Sequence, residues 1–196
     1  LKLGELLYEA NSAVLIESPY FIMNDELRGF FQKYKVQKPH IKLSVVTNSF
    51  GSTDNPAAYA MVYKSKPFYI DELDIEIFEI MPNPLDAHII IPGYRTLWKK
   101  AHERSPEKPK PFVSLHSKSM VIDESIGLVG SFNFDPRSAH INTELGVVIR
   151  DKNFAKKLKM DIDLDRSPKN AWVSARQQPT NSTLREMNEY VEDMFS

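Results

Sequence analysis

The chain contains no cysteine, which removes disulfide bridges, thiolate nucleophiles and Cys-ligated zinc from consideration. It also has almost no net charge: 25 Lys and Arg stand against 26 Asp and Glu, for −1 at neutral pH. Binding to nucleic acid or to an anionic membrane must therefore come from a local patch and not from the whole molecule. No apolar run approaches the ~20 residues that a membrane-spanning helix needs. The N-terminus, LKLGELLYEANSAVLIES, lacks the succession of basic start, apolar block and small-residue cleavage site that marks a signal peptide. It also lacks an initiator Met, and a chain that opens on Leu1 inside a helical pattern reads as a fragment or a processed piece. Glycine is scarce at 7 residues and proline ordinary at 13, so neither a fibrous nor a wholly disordered chain is indicated.

What is present suffices for a folded unit. At 196 residues and 42% hydrophobic content, the chain can bury the core of one domain. Residues 2–11 read as a short helix, and AVLIES at 13–18 as a strand stopped by Pro19. Asn24 precedes DELRGFFQKY, acidic first and basic later, which is the polarity a helix dipole favours. IKLSVVTNS at 41–49 is a second strand, Pro56 opens a helix through AAYAMVYKSK, and DIEIFEI at 74–80 alternates as a strand with one exposed face. Strands alternating with helices at this spacing predict a layered α/β fold.

Between Met81 and Phe112 the alternation breaks into a proline-rich excursion with a helical piece near 94–104. Strands are then expected over 112–122, 126–130 and 144–150, with Asp-Glu-Ser at 123–125 as a turn. AWVSA (171–175) is a further short apolar piece. Near the C-terminus, Thr183 and Glu186 form a capping-box pattern. Leu184, Met187, Val191, Met194 and Phe195 follow on one helical face. The expected division is a half-domain over 1–175 and an extension with a helix over 176–196.

The segment LHSKSMVIDESIGLVGSFNFDPRS at 115–138 carries the chemistry. In a strand, residues two apart share a face, so His116 and Lys118 are expected to project together. Asp123 lies an odd number of residues from both and suits a structural role. On the return strand Gly130 allows close backbone approach, and Ser131 and Asn133 share a face. An imidazole, an ammonium, a hydroxyl and an amide on one surface suit a phosphodiester. Neutral imidazole nitrogen attacks phosphorus without prior deprotonation, and the cation and neutral donors stabilise charge gained by the non-bridging oxygens. The imidazole also needs a carboxylate to fix its tautomer, and Glu144, opening the next strand, is the candidate. A chance match to the six letters is on the order of one in ten million or rarer per position at ordinary residue frequencies.

His116-x-Lys118-x4-Asp123-x6-Gly130-Ser131-x-Asn133 resembles the signature of the phospholipase D superfamily. The resemblance implies an α/β/α sandwich with a mixed central sheet and catalysis through a covalent phosphohistidine, with no metal and no cofactor. His116 would be the nucleophile or the general acid. Lys118, Ser131 and Asn133 would hold the phosphoryl oxygens, and Glu144 would orient His116. In this family one active site uses two copies of the motif, and the chain contains one. The other is then expected upstream in the same polypeptide or on a second copy of the chain. ESPYFI at 17–22, VVTNSFGSTD at 45–54 and LDRSPKNAW at 164–172 resemble the second half of bacterial cardiolipin synthases of the C type. That likeness implies a phosphatidyl transferase acting on phospholipid, on the cytoplasmic side and in peripheral contact with the inner membrane. The alternatives are a phospholipase D-type hydrolase, a homodimeric phosphodiesterase or nuclease, and an isolated half without activity. Near-neutral charge disfavours the nuclease, because a nucleic-acid groove shows a basic excess.

Tyr20 and Asn48 sit where predicted strands end, the place α/β folds put ligand contacts, and both are substrate-binding candidates. His40, His88, His102 and His140 lack paired ligand spacing and read as surface or satisfied residues. YRTLWKKAHERSPEKPK interleaves aromatics with cations, as a headgroup-binding patch does, although such charge runs are ordinarily solvated loops.

Overall fold

A computed structural model describes residues 3–107 and 112–174. The chain runs α1 (Leu3–Tyr8), β1 (Ala13–Glu17), α2 (Asp25–Gln37), β2 (Lys42–Asn48), α3 (Pro56–Pro67), a π-helical turn (Phe68–Glu72) and β3 (Ile75–Ile80). It continues with α4 (Ala87–Ile90), α5 (Tyr94–Arg104), β4 (Ser119–Ile122), β5 (Ile126–Gly130), α6 (Pro136–His140), β6 (Gly146–Ile149), α7 (Lys152–Asp165) and β7 (Ala171–Val173). The seven strands form one sheet in the order β6-β5-β4-β1-β2-β3-β7. The central β1, β2 and β3 are parallel, and the outer strands join antiparallel on both sides. The expected mixed sheet between helical layers is the fold observed.

Alternation along each strand sends side chains to two cores. Val14, Ile16, Leu43, Val45, Met120 and Ile122 face a layer that includes α1, α2 and the π-turn, whose Leu6, Leu7, Phe31, Tyr34 and Tyr69 are buried. Leu15, Val46 and Val121 face the opposite way and meet Ala155 and Ile162 of α7. Gly127 is required there: a Cβ would lie 2.5 Å from the Phe154 ring. The helix starts follow their capping chemistry. Asn24 and Asn55 accept from the amides of Leu27 and Ala58, and Asp151 from that of Phe154, each satisfying an amide that a first turn leaves unpaired.

One expectation is corrected, and two elements appear that the sequence reading does not give. The strand predicted over 112–122 exists only from Ser119, because Leu115 takes its hydrogen bonds from the Asn48 side chain and not from a neighbouring strand. Helix α7, which supplies the second helical layer, is not anticipated by the apolar pattern. AWV forms a strand pairing with β3. The expected C-terminal helix over 183–195 lies outside the described residues. Among the described residues no helix is long and apolar enough to cross a membrane.

Candidate active site

Topology brings the candidate residues to one end of the sheet. Glu17 at the end of β1 pairs in register with Ser119 at the start of antiparallel β4, so His116 and Lys118 emerge beside the C-terminal ends of β1 and β2. Strand β5 runs back to the same end, where the Gly130 amide donates to the Lys118 carbonyl at 3.0 Å. Ser131 and Asn133 follow directly. Gly130 pairs with Gly146, which sets Glu144 alongside. A Cβ on Gly130 would meet the Leu145 carbonyl oxygen at 2.5 Å, so glycine here allows β5 and β6 to close on one another.

His116 is exposed. The Lys118 ammonium lies 3.0 Å from His116 Nδ1 and donates to the His116 carbonyl at 2.8 Å. The two side chains do project together, as expected. They do so through irregular backbone with Lys118 folded back, not through strand alternation. An ammonium can only donate, so Nδ1 accepts and the proton of the neutral ring sits on Nε2. Burial lowers the Lys118 pKa against the opposing effect of Asp54, Glu144 and Asp135.

Glu144 does not pair with His116. Its carboxylate accepts from Ser131 Oγ and, at 3.2 Å, from Asn142 Nδ2. Hydrogen bonds from Ser131 and Ser138 hold its pKa below the usual carboxylate range, a slight burial opposes them, and Asn142 and the Lys118 charge add to the lowering. Ser131 Oγ also accepts from the Leu145 amide at 3.0 Å, so the hydroxyl is fixed. Asn133 donates its backbone amide to Ser138 Oγ at 3.2 Å, while its Oδ1 is buried without a partner among the described residues. A polar atom in that state carries a cost that a donor would remove.

Asn48 is corrected from substrate contact to clamp. It is 2% exposed. Its Nδ2 donates to the Leu115 carbonyl at 2.9 Å and to that of Pro19 at 3.3 Å. Its Oδ1 accepts from the Leu115 amide at 2.8 Å. One side chain thus does for Leu115 what a strand neighbour would, and it sets the backbone immediately before His116. Tyr20 donates to Asp54 at 2.7 Å, and burial with the adjacent carboxylate pushes its pKa up to about 12.

Asp123 sits at the far end of the sheet. Its carboxylate accepts from the amides of Asn11 at 2.6 Å and of Ser12 and Ala13 at 2.9 Å, and from Ser12 Oγ at 2.7 Å. Burial alone would raise its pKa, but these bonds hold it down to about 2. Asp54 and Asp135, which act on both Lys118 and Tyr20, were not singled out in the sequence. Asp54 lies six positions past Asn48 on another loop, and no local spacing ties it to the motif.

A family model described as cardiolipin synthase, PLD-like domain, matches residues 3–165. Cardiolipin synthase C of Escherichia coli (strain K12) is 26% identical over 155 residues, 79% of this chain and 30% of that protein. The chain spans under a third of the length of curated relatives it matches, 27% to 30%. Among solved structures, a phosphatidylserine synthase of Haemophilus influenzae superposes with a TM-score of 0.61 at 12% identity, over 98% of this chain and 41% of its own. NucT of Helicobacter pylori superposes with a TM-score of 0.57 at 14% identity, over 86% of both chains. At these identities the structures establish a shared fold.

Proposed function

The chain belongs to the cardiolipin synthase, PLD-like domain family, and from that membership we propose that it supplies one half of a phosphatidyl-transferring site. Members of the wider family are phosphodiesterases or phosphatidyltransferases. The observation that carries the finer reading is the exposed His116 ring with the Lys118 ammonium 3.0 Å away, beside Ser131 and Asn133. The reaction has two steps. Histidine nitrogen attacks the phosphorus of a phospholipid phosphodiester, and the bond to the departing alcohol breaks as a second histidine protonates its oxygen. A new alcohol, such as a glycerol hydroxyl of another lipid, then attacks the phosphohistidine, losing its proton to that second histidine as the P–N bond breaks. Water in its place would make the enzyme a hydrolase.

In the half described, Lys118 favours the Nε2–H tautomer of His116, and to act as the general acid the ring would take a second proton on Nδ1, with Lys118 giving way. Attack through Nε2 requires that Nδ1 carry the proton and that Lys118 turn to a phosphoryl oxygen. A carboxylate contributed by the other half, upstream or on a second copy, would bring that about. The charges acting on Lys118 come from Asp54, Glu144 and Asp135. Three carboxylates are the wrong sign for a groove that tracks a polyanion, yet compatible with a single phosphodiester. This favours lipid over nucleic acid. Incubating the natural full-length protein with labelled phosphatidylglycerol and quenching in alkali is expected to trap label on a motif histidine. Label that resists acid, or none on any histidine, would rule out the covalent mechanism.

A further inference from the structure

The helical excursion between β3 and β4 is firmly rooted and poorly covered. Its base is tied down by Val113 N–H to the Pro82 carbonyl at 2.8 Å and Leu85 N–H to the Lys169 carbonyl at 3.1 Å. The wholly buried Asn170 accepts from the Asp86 amide at 3.0 Å and donates to the Asp86 carboxylate at 3.3 Å. The chain re-enters three residues before His116. Above this root, α5 has no buried residue in eleven. Tyr94, Leu97, Trp98 and Ala101 recur at helical spacing and form one apolar row. Arg95 and Lys99 flank it on one side, Lys100 and Arg104 on the other.

Leu97 is 56% exposed and Trp98 37%, and the neighbouring Leu85, Ile89 and Phe112 are 72%, 58% and 52% exposed. A shallow cleft of about 310 Å³ opens between Leu85, His88, Tyr94 and Trp98. The four cations of α5 face one carboxylate, Glu103, in a chain whose net charge is −1. Lys99 reaches Glu103 only at 3.9 Å on an exposed surface, and Arg95, Lys100 and Arg104 form no ion pair among the described residues.

We propose that the α4–α5 excursion is an interfacial anchor that lies on a bilayer carrying anionic headgroups. Its apolar row and Leu85, Ile89 and Phe112 enter the acyl boundary, and Arg95, Lys99, Lys100 and Arg104 meet the phosphates. Apolar tips between two cationic rows match that layered chemistry, and each cation near such a surface strengthens binding about fivefold. A nucleic acid would meet the cations but leave the apolar row in water. The inference rests on the phospholipid reading above, since it explains how a phosphodiester held in a bilayer reaches a site rooted three residues away.

The test uses the 196-residue chain with Trp172→Phe, which leaves Trp98 as its single tryptophan. Vesicles of phosphatidylcholine with phosphatidylglycerol are expected to bind it, to shift Trp98 emission to the blue and, when acyl-brominated, to quench it. Pure phosphatidylcholine vesicles are expected to bind far less. Charge reversal at Arg95, Lys99, Lys100 and Arg104 together should weaken binding by about a hundredfold or more, with circular dichroism unchanged. Reversal at Lys152, Lys156 and Lys157, exposed on α7 and outside the excursion, should not. Unquenched Trp98, equal binding by the reversed variant, or a preference for DNA would each overturn the anchor. His116→Ala is expected to bind vesicles as the parent does. Intact vesicle binding without any phosphohistidine would therefore sink the proposed reaction while upholding the anchor.

Discussion

The two ends of β4 carry letters of the same motif and are built on opposite principles. At Asp123 both carboxylate oxygens accept from the Asn11–Ala13 backbone and the Ser12 side chain, and the residue bends into the left-handed region with φ 51°. Glu124 follows at φ 50°, so the two residues form the primed turn that a tight hairpin favours. At the other end, four strand residues away, His116 is exposed, Lys118 is folded onto it, and Asn133 Oδ1 is buried without a partner among the described residues. One end spends its polar groups on the fold, while the other keeps them for something outside the chain. The satisfied end fixes the register of β4 against β1, and that register places the unsatisfied end.

This contrast is broken most directly by exchanging the effects of the two ends. His116→Ala is expected to lower turnover of the full-length protein by about 10⁴-fold or more, the scale on which a lost nucleophile or general acid acts. Its unfolding free energy should stay within about 0.5 kcal/mol of the parent, as for other exposed sites. Asp123→Ala should do the reverse. Loss of a charged acceptor serving several donors is expected to cost about 2–3 kcal/mol in urea denaturation, with turnover of the remaining folded protein within a few fold. Equal damage to both properties in either variant would erase the distinction.

The Asp123 end also has a pH signature. Its folded pKa, about 2, lies below the unfolded value of about 3.9. The contribution is therefore fully present above about pH 4 and is lost as pH falls toward 2. Acid titration of stability should show this slope in the parent and a shallower one in Asp123→Asn. An unchanged slope would mean that other carboxylates dominate the acid transition.

These two ends also show how far the sequence could be read. The motif letters lie within one hairpin, so local spacing predicts their grouping and sets Asp123 apart. The layered α/β fold follows from alternating strands and helices, and the mixed sheet from the family resemblance. Two things escaped. Residues 112–118 have the composition of a strand, yet the Leu115 backbone is paired by one side chain, Asn48, 67 positions away, and no period within the segment registers that. Glu144 was matched to His116 by chemical need. The β5–β6 pairing through Gly130 and Gly146 instead brings it to Ser131, a nearer and equally suitable donor.

Asn48 sharpens the comparison at an intermediate scale, because it is buried structure in direct contact with the reactive segment. Asn48→Ala removes both bonds to Leu115, and Asn48→Asp keeps the acceptor but loses the donor. Expected losses in kcat are about 100-fold and about 10-fold, in line with misplacement of a reacting group, with KM nearly constant. A merely structural role would lower the amount of folded enzyme without altering kcat per active site. Active-site titration by the trapped phosphoenzyme separates the two.

The smallest expected effect lies behind the reactive end. Glu17, 4% exposed, accepts from Ser119 Oγ at 2.9 Å and is hydrogen-bonded to the Asp165 carboxyl. Burial, with the Glu17 carboxylate beside it, raises the pKa of Asp165 well above the usual carboxylate range. A carboxyl kept protonated in the fold but ionised in the unfolded chain destabilises progressively as pH rises above about 4. Stability should therefore decline toward neutral pH, levelling off once Asp165 ionises in the folded protein. Asp165→Asn keeps a donor in place and removes the titration. It is expected to raise unfolding free energy at pH 8 by about 1 kcal/mol and to leave stability at pH 4 unchanged. A variant less stable than the parent at both pH values would show that the ionised pair is held by contacts stronger than its repulsion. The unsatisfied character of this end of β4 would then be confined to the surface residues that face the substrate.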